Sequence, residues 1–165
     1  MADLYGTRAG ADAYHAERGN TAWTGLDADK DAALLRAAEY IDAAYRSQFP
    51  GYKTGLRAQV REWPRVGASD TEGQSIADDE IPREVEYATY EAALRELGTP
   101  GSLNPDYDPS TQVKREKVGP IDVEYTAAHG PNSVRKIIPI IGAIIAPVLT
   151  GSSVTSSITG RTERI

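Results

Sequence analysis

The sequence predicts a mainly α fold: a small helical bundle with a short β-hairpin and an extended C-terminal arm. Three observations predict it. Apolar residues recur at three- and four-residue spacing over 30–48 and again over 82–97, the signature of helices with one buried face. Two alternating stretches, 111–118 and 121–125, flank Gly119-Pro120 as the strands of a hairpin. An isoleucine-rich run then stands apart from both. A length of 165 residues suits one domain with a core of its own. The layout expected is a bundle over 1–100, a loop and hairpin over 101–130, and a C-terminal extension over 131–165.

In chain order, residues 8–18 read as a first helix, with Thr7 as N-cap and Gly19-Asn20 as the stop. The second has the strongest periodicity. Ala33, Leu34, Ala37, Ala38, Ile41, Ala44 and Tyr45 form a single stripe whose alanines let a partner helix come close. Asp27, Asp29 and Asp31 before it have the spacing of a calcium loop, but Ala32 and Ala38 occupy the positions where such a loop needs glycine and glutamate. Capping and the helix dipole explain these aspartates instead. Phe49-Pro50-Gly51 breaks the helix, and a shorter one is expected from Thr54 to Glu62 with Leu56 and Val60 inward.

The chain is organised around Glu62-Trp63-Pro64-Arg65-Val66-Gly67 and its continuation to Ile81-Pro82-Arg83-Glu84. Pro64 ends the helix before it, and Pro82 opens the next as its first residue. Trp63 is the anchor expected between them, since one indole buries about 150–250 Å². Trp63, Pro64 and Pro82 are therefore the structural anchors of this reading. Lys53, Arg57, Arg61 and Arg65 recur every four residues and would share a helix face. Such a stripe can contact phosphate, or it can pair with the acidic patch of Asp78, Asp79, Glu80, Glu84 and Glu86. Pairing within or between subunits is the preferred reading, and it makes Arg57, Arg61, Arg65, Asp78, Asp79, Glu80 and Glu84 subunit-contact candidates.

Composition excludes several functions. The chain has no cysteine, so disulfides, thiolate metal sites and cysteine nucleophiles are ruled out. Its histidines, His15 and His129, are read as a helix-surface and a loop residue. No Ser-His-Asp order, phosphate loop or histidine-carboxylate metal set is present, so neither an enzyme nor a cofactor is expected. A net charge of −6 argues against broad electrostatic binding of nucleic acid. No signal peptide is recognisable at the N-terminus, which places the chain in the cytosol.

Residues 137–149 are almost wholly apolar, yet 13 residues with two prolines are too few to cross a bilayer. They form either a core helix closing the bundle or an apolar plug buried in another protein. The Ser/Thr-rich 150–165 has no reason to fold alone and is expected to order against a partner.

Ala11-Asp12-Ala13-Tyr14, Trp23, Phe49-Pro50-Gly51, Trp63-Pro64-Arg65, Asp70, Gly73, Ile81-Pro82, Ala88-Thr89-Tyr90-Glu91-Ala92-Ala93 and Val113 to Gly119 carry a resemblance. Over about residues 4–126 the chain resembles the head-tail connector, or adaptor, proteins in the neck of tailed phages, some of which are labelled DnaT-like single-stranded-DNA-binding proteins. The resemblance implies a structural protein of the virion neck, assembled in the host cytoplasm. It implies a homo-oligomeric ring, twelvefold, beneath the portal protein and beside stopper or tail-terminator proteins, through which DNA passes without specific binding and with no membrane involved. Ile137, Ile138, Ile140, Ile141, Ile144, Ile145 and Leu149 would then contact the portal. The alternative is a single-stranded-DNA-binding protein of phage replication, with Trp23, Trp63 and the tyrosines stacking on bases and Arg57 and Arg61 meeting phosphates.

Overall fold

A computed structural model describes residues 4–106, 115–118, 121–124 and 138–150. Among them are four α-helices: α1 (Arg8–Glu17), α2 (Asp27–Tyr45), α3 (Arg83–Gly98) and α4 (Pro139–Ile145). Two antiparallel pairs complete the set: β1 (Tyr52–Lys53) with β2 (Arg65–Val66), and β3 (Arg115–Val118) with β4 (Ile121–Glu124). The fold is mainly α, as the periodicity implies. The β3–β4 register pairs Arg115 with Glu124 and Val118 with Ile121, so the hairpin forms inside the two alternating stretches.

The largest interface joins α2 to α3, and α4 packs against α3 as well. Ala33, Ala37 and Ala38 on α2 and Ala88, Ala92 and Ala93 on α3 are all completely buried, which fits the close helix approach expected of alanine faces. Thr7 caps α1, its side-chain oxygen accepting from the Gly10 amide at 3.0 Å. The α2 aspartates do not cap. Leu26 holds the N-cap position, Asp27 and Asp29 lie in the first turn, and Arg8 of α1 reaches Asp27 at 3.2 Å and Asp31 at 2.6 Å. Pro82 is likewise the N-cap of α3 rather than its first residue.

Two expectations are corrected here. The first concerns the isoleucine run. Ile141 and Ile145 are fully buried, with Val148 and Leu149 beside them in the core. The Thr71 amide donates to the Pro147 carbonyl at 2.8 Å, and the Thr150 amide donates to Gln48 at 2.6 Å. The segment is therefore the closing helix of the bundle, and Ile141, Ile145 and Leu149 are not portal contacts. Ile138 and Ile144 are half-buried against the same core, and Ile140 alone among the described isoleucines of the run is exposed. Ile137 and the tail over 151–165 lie outside the described residues.

The second concerns 54–62, which is not helical. Only a 3₁₀ turn, Leu56–Ala58, forms there. The Gln59 side chain takes up the backbone groups a helix would have paired: its oxygen accepts from the Gly55 amide at 2.8 Å, and its nitrogen donates to the Arg61 and Pro64 carbonyls at 2.9 and 3.0 Å. The stripe of Lys53, Arg57, Arg61 and Arg65 dissolves with the helix. Leu56 and Val60, expected inward, are 63% and 69% exposed. His15, expected on the surface, is buried; it bridges the Tyr90 carbonyl at 3.1 Å and the Asn20 side chain at 3.0 Å.

Candidate nucleic-acid interface

In place of the helix, residues 51–66 form a β-arm, with β1 and β2 at its root and a tip around 54–60. Register pairs Tyr52 with Val66 and Lys53 with Arg65. Gly51 permits the turn into the arm: its φ is +63°, and a Cβ there would stand 2.2 Å from the Val66 carbonyl oxygen.

The root is held by buried polar groups. The fully buried Tyr5 hydroxyl donates to Asp42 of α2 and accepts the amides of Glu62 and Trp63 at 2.9 and 3.1 Å. Arg61 reaches Asp42 at 3.4 Å and Glu39 at 3.7 Å. Burial, then the charge of Asp42, pushes the Tyr5 hydroxyl far above the usual tyrosine range, and burial raises the Asp42 carboxyl above the usual aspartate range. Arg65 donates to the carbonyls of Pro50 at 2.6 Å, Gly51 at 2.7 Å and Glu62 at 3.1 Å, and to the Glu62 carboxylate at 3.0 Å. Trp63 is 1% exposed and meets Phe49 edge-on at 5.6 Å. Arg61 and Arg65 thus bind their own subunit, which removes them from the proposed subunit contacts and Arg61 from the phosphate contacts. The structure fixes the arm's root as part of the core.

The outer surface of the arm is different. Tyr52 of β1 is 58% exposed, and Leu56 and Val60 at the tip are exposed as well. Arg57 is exposed and makes no ion pair with the described residues. Lys53 is half-buried and donates to the Gln59 carbonyl at 2.9 Å. Leu56 has φ +49°, a conformation that costs a branched side chain energy and that surrounding structure must hold. From Arg46 to Arg61 the sequence carries four cations and no carboxylate, inside a chain of net charge −6. Asp78, Asp79 and Glu80 are exposed nearby, since the Thr54 hydroxyl donates to the Asp78 carbonyl at 2.6 Å. Glu84 is half-buried on the first turn of α3.

Neither indole is free to stack on a base. Trp23 is 7% exposed and donates to Asp12 at 2.7 Å, and Lys30 donates to the same oxygen at 2.7 Å. These two residues line a shallow cavity of about 250 Å³ with Asp12, His15 and Asn20, whose polar groups pair with one another. Sequence reasoning placed Leu56 and Val60 inward and included Tyr52 only among the tyrosines at large, whereas all three are exposed. The signal for them lay in Gly51, Gly55 and the absence of acid between Arg46 and Arg61.

A larger cavity, about 310 Å³, opens between α2 and the turn after α3. Tyr40, Ala43 and Leu103 wall it, and Arg36, Glu39, Glu96, Gly101 and Asn104 supply its polar rim. Glu96 is buried and fixes the turn, accepting the amides of Gly101 and Leu103 at 2.7 and 2.9 Å and Arg36 Nε at 2.9 Å. Burial works to raise its carboxyl, but these donors outweigh burial and hold it below the usual glutamate range.

A family model described as "Putative DnaT-like ssDNA binding protein" matches residues 1–165. No curated protein and no solved structure matches the chain. The match overturns the head-tail connector assignment, and with it the virion-neck role, the portal, stopper and ring partners, and DNA that passes without specific binding. It extends through the C-terminal segment that the connector resemblance left uncovered. No described helix is long and apolar enough to cross a membrane.

Proposed function

Because the chain belongs to the DnaT-like single-stranded-DNA-binding family, we propose that it binds single-stranded DNA through the exposed surface of the β-arm. The observation that carries this reading is the exposed Tyr52 ring on β1, followed in the chain by Lys53 and the exposed Arg57, on an arm held rigidly at its root and within a stretch, Arg46 to Arg61, that carries no carboxylate. An aromatic face with adjacent cations is what a single strand requires, because bases stack on the ring while phosphates meet the charges. The acidic remainder of the chain keeps the electrostatic contribution small and confines the phosphate contacts to the arm. In this reading the protein binds and does not catalyse.

Fluorescence anisotropy of labelled (dT)20 against the full chain tests it. Two or three phosphate contacts, from Lys53, Arg57 and the neighbouring Arg46, give a slope of log K against log salt of about −1.4 to −2. Tyr52→Ala loses one stacked base, a loss of about 1–3 kcal/mol, and Arg57→Glu weakens binding and flattens the salt slope. Absence of saturable binding at low salt, or wild-type binding by both folded variants, overturns the proposal.

A further inference from the structure

We propose that the cavity between α2 and the turn after α3 receives one unpaired guanine base of the bound strand, with Glu39 reading its Watson–Crick edge. The inference deepens the strand-binding reading and rests on it for the source of the base. Three features support it.

The first is unused bonding capacity. Arg36 commits only Nε, to Glu96, and its two terminal nitrogens have no partner among the described residues. The Asn104 side chain is exposed and likewise makes no hydrogen bond with the described residues. The Glu39 carboxylate is 60% exposed, and its single ion pair, to Arg61, is long at 3.7 Å. The rim therefore holds an acceptor pair and two sets of donors around apolar walls, the composition of a site for a small polar heterocycle.

The second is charge. Among the described residues of the rim one cation, Arg36, is set against two carboxylates, Glu39 and Glu96, a net charge of minus one that disfavours phosphate. A neutral ring with donors on one edge is favoured. Guanine presents N1–H and N2–H side by side, matching both oxygens of a carboxylate, with O6 next to them for Arg36 or Asn104. Adenine and cytosine each offer a single amino group, and thymine offers one imino hydrogen between two carbonyls that a carboxylate repels.

The third is position. Glu39 lines the cavity and also meets Arg61, the residue that roots the arm, so the cavity adjoins the root of the arm. The atoms read are those that a base pair occupies. A site of this kind accepts a base only from unpaired DNA, which makes the cavity a strand-state sensor as well as a base selector.

The test is a titration of the full chain with free 2′-deoxynucleosides, followed by the amide resonances of Gly101, Leu103 and Asn104. Deoxyguanosine should saturate these shifts at a concentration at least about tenfold lower than thymidine, the discrimination typical of a paired base-edge contact. Glu39→Gln, at an exposed position and checked for folding by circular dichroism, should abolish that preference. Arg57→Glu should leave it intact while weakening (dT)20 binding. Equal response to the four nucleosides, no response, or an unchanged preference in Glu39→Gln overturns the inference. Because thymidine tracts do not need the cavity, failure of (dT)20 to bind refutes the arm alone, and loss of guanosine selectivity with (dT)20 binding retained refutes the cavity alone.

Discussion

If α4 is the bundle's own closing helix, Ile141→Ala must unfold the protein far more readily than Ile140→Ala on the adjacent position. Ile141 is completely buried and Ile140 is 45% exposed, so one helix supplies both test and control. Truncating isoleucine to alanine removes three carbons, about 2.4 kcal/mol of transfer free energy at about 0.8 kcal/mol for each. A cavity remains under α3, which adds to the loss and brings Ile141→Ala to about 3–4 kcal/mol. Ile140→Ala loses only about half of the transfer contribution and leaves no cavity, so about 1 kcal/mol is expected. Urea unfolding followed by helical circular dichroism reads the difference. With a slope of about 2 kcal/mol per molar, the Ile141→Ala midpoint falls by about 1.5–2 M and the Ile140→Ala midpoint by about 0.5 M. Equal, small shifts for the two variants would mean that the segment contributes nothing to the isolated subunit, and the closing-helix assignment would be lost.

Glu96→Gln should cost about 2 kcal/mol at neutral pH, since an ionised acceptor of three N–H groups becomes a neutral one. The folded carboxyl lies below the ordinary value of 4.5, so its stabilisation is complete above that pH and is lost as pH falls through the folded value. Midpoints measured between pH 3 and 7 should show a shallower acid limb in the variant. Gly10→Ala, at a helix position where alanine ordinarily gains about 1 kcal/mol, should instead destabilise by about 1–3 kcal/mol, because its Cβ would lie 2.5 Å from the Tyr90 hydroxyl. Thermal melts of Gly10→Ala in a Tyr90→Phe background should recover most of that loss. Arg65→Lys keeps the charge but cannot reach Pro50, Gly51 and Glu62 together, and a loss of about 2–3 kcal/mol in urea is expected.

Helical spacing made the bundle legible because α2 and α3 bury one face each, and burial of one face leaves a period in the sequence. The same reasoning misread 54–62, where charges at four-residue spacing imitate a helix. A single side chain, Gln59, supplies the competing hydrogen bonds, and nothing in the spacing of Lys53, Arg57 and Arg61 reveals it. The isoleucine run was ambiguous for a different reason. Apolar residues on every face fit a buried core helix or a partner-bound plug equally well, and only the position of α3 distinguishes them. Of the interface, the cations were visible in sequence. The exposed aromatic was visible only as one of nine tyrosines, and both indoles offered beside them, Trp63 and Trp23, are buried. The cavity depends on a turn after Gly98 that Glu96 holds from within the helix, a contact between residues close in sequence but without a motif.

The dependence of α3 on α4 has a consequence during synthesis. The side of α3 that α4 covers leaves the ribosome roughly 40 residues before its cover does, an interval of about 2–8 s at ordinary elongation rates. Throughout that interval the nascent chain carries an unsatisfied apolar groove. Emergence of α4, rather than completion of α3, is therefore the event that makes this bundle self-sufficient, and holdase chaperones should associate with its translation intermediates up to that moment.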